Sequence, residues 1–183
     1  MPQFPKPYAD AVARLRVPSG FLIVIVFAWL SHPTPASLAI GAPISILGLL
    51  LRGWAAGCLA KNRDLATSGP YAHVRNPLYV GTLLVAAGLV AASRNLYLAG
   101  LVAAIFILVY LPVIQLEEQH LRRLFPGYAA YADQVPALLP RFSALPQKNP
   151  NPFRFSLYLR NQEYQAGAAF AAGMLFLLWK IVK

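Results

Sequence analysis

Acidic residues are scarce in this chain: 6 Asp and Glu stand against 16 Lys and Arg in 183 residues, leaving a formal charge of +10. Charge of either sign is scarce as well, at 12% of residues, about half the roughly 25% of an ordinary soluble domain. The single cysteine, Cys58, excludes an intrachain disulfide and a cysteine-based metal site. It reads as a small apolar packing residue rather than a catalytic thiol. The histidines, His32, His73 and His120, have no partner histidine at metal-ligand spacing, so no metal is expected. No G-x-S-x-G, G-x-G-x-x-G or phosphate-loop pattern occurs, which leaves serine hydrolase, Rossmann and P-loop readings without support.

The missing charge is missing in blocks. No Asp, Glu, Lys or Arg occurs between Arg16 and Arg52, between Arg75 and Arg94, between Arg94 and Glu117, or between Glu163 and Lys180. A membrane-spanning helix needs about 20 apolar residues, so each block holds one helix and the first holds two. The pattern predicts an all-α integral membrane helical bundle of about five transmembrane helices, in a single domain over residues 1–183. Ser31-His32-Pro33-Thr34-Pro35 breaks the first block into a hairpin. Its first arm, Val17 to Leu30, is short for a span, and is expected to tilt little, thin the bilayer or run into the preceding interfacial segment. The second arm continues past Arg52 towards Ala60. The third span starts at Leu78, the fourth runs from Leu96 to Leu116, and the fifth from Gln165 to Val182. No small-residue cleavage site follows the first apolar run, so a cleaved signal peptide is not expected.

The basic residues set an orientation. With the N-terminus inside, Lys6, Arg14, Arg16, Lys61, Arg63, Arg75 and the basic residues from Arg122 to Arg160 fall on the cytoplasmic side, against Arg94, Lys180 and Lys183 outside. This excess of positive charge suits anionic lipid headgroups at a membrane face. It makes nucleic acid a poor partner.

Two polar segments are then cytoplasmic, residues 61–77 and 117–163, and only these are polar enough to host chemistry. The first ends in Ser68-Gly69-Pro70-Tyr71-Ala72-His73-Val74-Arg75-Asn76-Pro77-Leu78-Tyr79-Val80-Gly81. Pro70 and Pro77 break the backbone there, and near lipid the freed groups must find partners in protein, water or a ligand. Lys61 and Arg63 also suit simple snorkelling, and Ser-Gly-Pro a plain chain reversal. The second segment opens with Glu117-Glu118, then breaks at Pro126-Gly127, Pro136, Pro140, Pro146, Pro150 and Pro152. Pairing with Arg122 and Arg123 explains the two carboxylates as a solvated helix face; the alternative turns one inward to hold a cation. Gly53 and Gly57 have the small-xxx-small spacing of close helix packing. His73 and His120 are general-base candidates by residue type alone.

The run Leu65-Ala66-Thr67-Ser68-Gly69-Pro70-Tyr71, then Val74 to Gly81, then Glu117-Glu118, then Tyr128-Ala129-Ala130-Tyr131 and Val135-Pro136 with Pro140, resembles the isoprenylcysteine carboxyl methyltransferase and phospholipid methyltransferase family. Order and spacing match over roughly residues 40–142. The resemblance implies a membrane enzyme that transfers a methyl group from S-adenosylmethionine at the cytoplasmic surface to a lipophilic acceptor entering from the bilayer. It implies a cofactor site formed by Arg63, Asp64, Leu65, Ala66, Tyr71, Asn76, Pro77, Leu78 and Tyr79, with Glu117 and Glu118 at the cofactor's polar end. No catalytic residue is assigned, since an activated sulfonium needs chiefly alignment and exclusion of water.

The chain departs from that pattern in two places. Asn76 stands where the carboxyl methyltransferases have histidine; it hydrogen-bonds but does not titrate. Gln134 occupies the substrate-binding position where they carry an arginine suited to a carboxylate. Arg154, Arg160 or Glu163, in the basic and aromatic stretch before the last span, is the expected replacement for that headgroup contact; the same stretch also reads as an interfacial belt. An isoprenylcysteine carboxyl methyltransferase-like activity is the leading expectation, with a phosphatidylethanolamine-type N-methyltransferase as the alternative. An NADPH-dependent membrane reductase and a non-enzymatic membrane protein are the readings from other classes.

Overall fold

The computed structural model describes residues 4–146 and 152–183. The protein is all-helical, 74% of it in helices, with no strand among the described residues. The helices are α1 (Lys6–Leu30), α2 (Pro35–Gly57), α3 (Pro77–Ser93), α4 (Leu96–Ile105), α5 (Leu111–Leu124), α6 (Tyr128–Gln134), α7 (Phe155–Arg160) and α8 (Tyr164–Val182). A 3-10 turn, Gly69–Ala72, precedes α3, and a π turn, Phe106–Tyr110, joins α4 to α5.

The protein is an integral membrane protein. Helix α2, the continuous stretch Leu96–Leu124 and α8 are long and apolar enough to cross a bilayer. Helix α1 makes a fourth candidate as a bent pair, and α3 is apolar but has only 17 residues. All five apolar segments read from the sequence are therefore helical, and three reach spanning length unaided. The short first arm runs into the segment before it, so that α1 begins at Lys6 and bends by 52° ahead of Pro18. Proline has no N–H for the helical ladder and crowds the preceding turn, a sufficient cause for such a bend.

By internal contacts the chain divides into two compact units, Met1–Ser45 with Ala86–His120 and Met174–Lys183, and Ile46–Val85 with Leu121–Gly173. In the first, Leu38, Ala92 and Leu177 form a buried cluster with Phe27, Met174, Phe176 and Ile181 against it. Helix ends leave carbonyls and N–H groups without intrahelical partners, and here side chains meet them. Lys180 Nζ donates to the carbonyls of Ala28 at 2.9 Å and Ser31 at 2.6 Å, while Asn95 Nδ2 donates to Leu30 O at 2.9 Å. The Asn95 side-chain oxygen accepts from the N–H groups of Tyr97 and Leu98, capping α4.

The π turn has a local cause. Pro112 lacks an N–H, so the carbonyl of Leu108 loses its helical donor; the hydroxyl of Tyr8 donates to it instead at 2.7 Å. The N–H of Leu111 reaches back to Phe106 O, the wide bond of a π turn.

Small residues let α2 and α3 touch backbone to backbone. A Cβ on Gly41 would lie 2.3 Å from Gly88 O in the first unit, and one on Gly48 would lie 2.6 Å from Gly81 O in the second. Further along α2, Arg52 is the one charge in a long apolar run. Its Nε and Nη2 donate to the carboxylate of Glu163 at 2.5 and 3.0 Å, and its Nη1 donates to Leu78 O at 3.3 Å and to the Thr82 hydroxyl. Glu163 is buried.

Removing one partner of such a pair strands a desolvated charge, at a cost of about 3–5 kcal/mol, whereas replacing both with apolar groups costs far less. Arg52→Met is expected to lower stability by about that amount in mixed-micelle unfolding, and Arg52→Met with Glu163→Leu to recover most of it. A double variant no more stable than the single would remove the pair as the cause.

Candidate functional site

The second unit holds most of the residues singled out from the sequence. Helix α2 stops at Gly57 and the chain turns through residues 58–76 before α3. Gly69 has φ +60°, and a Cβ there would sit 3.0 Å from Cys58 Sγ and 3.2 Å from Trp54 Nε1, so the turn favours glycine on two counts. Pro77 occupies the first position of α3, where its missing N–H costs nothing. Cys58 is buried, and burial pushes its thiol above the ordinary range, which makes it a poor nucleophile.

The groups freed by the prolines find protein partners in residues 131–145. Arg75 Nη1 donates to the carbonyls of Ala132 at 2.5 Å and Val135 at 3.0 Å, capping the end of α6, while Arg75 N donates to Pro136 O at 2.9 Å. Asn76 Nδ2 donates to Ala137 O at 3.1 Å, and the Tyr131 hydroxyl donates to Tyr71 O at 2.7 Å. Leu145 N donates to Ala72 O and Arg141 N to His73 O, each at 3.0 Å. His73 Nδ1 lies 2.9 Å from Arg141 O; a carbonyl only accepts, so Nδ1 carries the proton and Nε2 is the free acceptor. Among the described residues no buried side-chain nitrogen or oxygen lacks a partner.

The proposed cofactor residues divide by environment. Ala66, Tyr71, Asn76, Pro77 and Tyr79 are buried; Ala66 and Tyr71 pack with Ala55 and Cys58, and Leu78 rests on that cluster. Leu65 packs against Tyr128, Tyr131, Ala132 and Val135 of the α6 region. Arg63 and Asp64 are exposed and line a cavity of about 510 Å³, with Lys61 beside them and Arg154 and Arg160 from the α7 segment. On α5, Glu118 is buried and Glu117 exposed. Arg122, read as a possible partner for them, lies over the Tyr128 ring at 5.4 Å.

The acceptor-side residues do not stay together. Arg154 and Arg160 share the cavity, but Glu163 is committed to Arg52. Gln134 is exposed, its side chain bonding back to Ala130 O and its carbonyl accepting from Arg141. Sequence reasoning missed Arg52 as the residue that holds the Leu78 carbonyl at the start of α3. Its isolation in an apolar run was the available signal; the partner carboxylate lies 111 residues away.

The family model for phospholipid methyltransferases matches residues 44–127. Over this segment the chain is similar to the phospholipid methyltransferase family. The segment contains the glycine-dependent turn, the start of α3 and Glu117-Glu118, and it ends before α6 and α7. Among curated proteins, the chain is 39% identical over 117 residues to the cobalt-zinc-cadmium resistance protein CzcN of Cupriavidus metallidurans, which covers 63% of this chain and 53% of that protein. It is 35% identical over 117 residues to the nickel-cobalt-cadmium resistance protein NccN of Alcaligenes xylosoxydans xylosoxydans, covering 63% and 54%. The chain thus spans about half the length of the curated relatives it matches. No solved structure matches it.

Gly69→Ala is expected to destabilise the protein by about 1–3 kcal/mol, the cost of a non-glycine residue forced into a sparsely populated backbone region. Gly100→Ala, where an added Cβ meets nothing within 4 Å, is expected to be neutral or slightly stabilising because alanine favours the helix. Thermal unfolding of the two variants side by side checks the contrast.

Proposed function

We propose that the protein is an S-adenosylmethionine-dependent methyltransferase that methylates a lipophilic acceptor at the cytoplasmic face of the membrane. The observation that carries this reading is the family match over residues 44–127, because it spans every residue proposed for the cofactor. The donor set suits the group chemically. Within the second unit, buried Tyr71 and Tyr79 offer rings for adenosine, and the Asn76 amide and backbone N–H groups offer donors; Glu117 and Glu118 enter this reading from the family resemblance alone, as acidic groups for the cofactor's polar end. Arg63, Asp64, Leu65, Ala66, Pro77 and Leu78 complete the cofactor contacts in this reading. When bound, S-adenosylmethionine supplies an electrophilic methyl group.

The chain's own contribution is to hold and orient. The hydrogen bonds from residues 131–145 keep the Tyr71–Asn76 turn in one conformation, and Arg52 fixes the Leu78 carbonyl. Such rigidity lowers the entropic part of a transfer barrier. A carboxylate acceptor needs no base, whereas an ammonium acceptor must first lose a proton; His73, with Nε2 as its free acceptor, is the nearest base by sequence to the family motif. An isoprenylcysteine-like carboxylate acceptor remains the leading proposal, and the phospholipid description of the matched family favours an amine-bearing lipid as the second reading. The basic residues on one side of the predicted spans support a cytoplasmic N-terminus and site.

The resistance names of the two relatives describe metal handling by those proteins. Among the described residues no group of three His, Cys, Asp or Glu side chains could hold a metal ion. In this reading, any part this chain has in resistance lies at the level of a methylated membrane acceptor.

Calorimetry on the purified protein is expected to show S-adenosylmethionine binding and none of NADPH. Tyr79→Ala and Glu118→Gln are each expected to weaken it by about ten-fold or more, the scale of one lost contact to a charged ligand. Incubation with labelled S-adenosylmethionine and a lipid extract then identifies the acceptor from what gains label. No cofactor binding at all would sink the proposal.

A further inference from the structure

The short stretch from Phe153 to Arg160 has two chemically opposite sides. Arg154 and Arg160 line the 510 Å³ cavity together with Lys61 and Arg63, and Asp64 is the only acidic side chain in its lining. Phe153, Phe155 and Tyr158 instead line an open apolar groove of about 280 Å³ against Trp54. The two depressions therefore share a wall only a few residues thick. Gly57 makes this placement possible: a Cβ there would lie 2.1 Å from the Phe153 ring, and its carbonyl accepts from Arg154 N at 2.9 Å.

None of the cavity's four cations has an ion-pair or side-chain hydrogen-bond partner among the described residues. Four exposed like charges lining one cavity repel one another through screening water, and a bound anion relieves that repulsion. Arginine forks match phosphate oxygens in pairs, and lysine adds a point charge. The excess of cations over one carboxylate discriminates among headgroups. A zwitterionic lipid brings its own ammonium into a positive cavity, whereas a net-negative lipid brings only compensating charge. The adjoining aromatic groove gives the same molecule a place for its chain, with Phe155 63% and Trp54 48% exposed.

We propose that the cavity and groove together form a binding site for one net-anionic phospholipid, its phosphate on Lys61, Arg63, Arg154 and Arg160 and an acyl chain along Trp54, Phe153, Phe155 and Tyr158. Five of these eight residues, those from Phe153 to Arg160, lie beyond the residues that the family model matches. The site shares Arg63, Arg154 and Arg160 with the residues assigned above to cofactor and acceptor, but its occupant is a bound lipid rather than either reactant, and its test does not depend on methyl transfer.

Trp54 is a built-in reporter. Trp29 and Trp179, 80% and 54% exposed, are replaced by Phe, and the protein is placed in phosphatidylcholine nanodiscs. Phosphatidylglycerol with a brominated chain is expected to quench Trp54 at about one tenth of the mole fraction that brominated phosphatidylcholine needs. The double variant Arg154→Gln, Arg160→Gln should lose that preference, and Arg154→Lys, Arg160→Lys should keep most of it, which separates charge from misfolding. Equal quenching by the two lipids, or a preference that survives the glutamines, overturns the proposal. Reversal of quenching by millimolar inorganic phosphate would assign the cavity to a soluble anion and overturn it equally. The measurement uses neither cofactor nor methyl transfer, so its failure and a failure of cofactor binding are separate results.

Discussion

A guanidinium inside an apolar helix has lost most of its water, and protein atoms must replace that hydration or the helix does not stay where it is. Arg52 meets this demand with three groups at once: the Glu163 carboxylate ahead of α8, the Leu78 carbonyl in the first turn of α3, and the Thr82 hydroxyl one turn on. Leu78 belongs to the Asn76-Pro77-Leu78-Tyr79 run, so a charge on α2 sets where the family motif enters its helix. The pair is a weak source of stability, since two desolvated charges gain little over an apolar substitute. Its value lies in register, because the guanidinium is met only where Glu163, the Leu78 carbonyl and Thr82 come together.

The turn before α3 solves a related problem with backbone groups. Two prolines and a glycine at φ +60° make a shape that no regular element would hold. Residues 131–145 hold it, through Arg75 on the end of α6, Asn76 on Ala137 and the Tyr131 hydroxyl on Tyr71. Arg75 and Asn76 thus serve first as fasteners. An asparagine suffices for this task, because its amide donates the bond to Ala137 O that holds the turn.

The helices were legible because charge-free runs of spanning length leave little else for a chain to be, and the residues that break the first run, Pro33 and Pro35, act locally. The merging of α1 with the segment before it was legible only as one of three outcomes, since Pro18 bends a helix or ends it depending on what surrounds it. The site was legible at the turn itself, where Gly69 and Pro77 act over a few residues. Its fastening was not. The acceptors on Ala132, Val135, Pro136 and Ala137 are main-chain carbonyls, which every residue has, so the sequence carries no mark of which ones Arg75 and Asn76 will choose. Glu163 was misplaced for a different reason: an acid beside Arg160 and Tyr164 looks like headgroup chemistry until a buried arginine from α2 claims it.

The π turn at Phe106–Tyr110 inserts one extra residue into a helix that otherwise runs unbroken from Leu96 to Leu124. One residue is about 100° of rotation around a helix axis. The turn therefore sets the angular phase of everything after it, and Glu118 is buried while its neighbour Glu117 is exposed because of that phase as much as because of their own surroundings. Pro112 and the Tyr8 hydroxyl that answers it act like a key on a shaft: they carry no chemistry, yet they decide which of two adjacent carboxylates the helix turns inward.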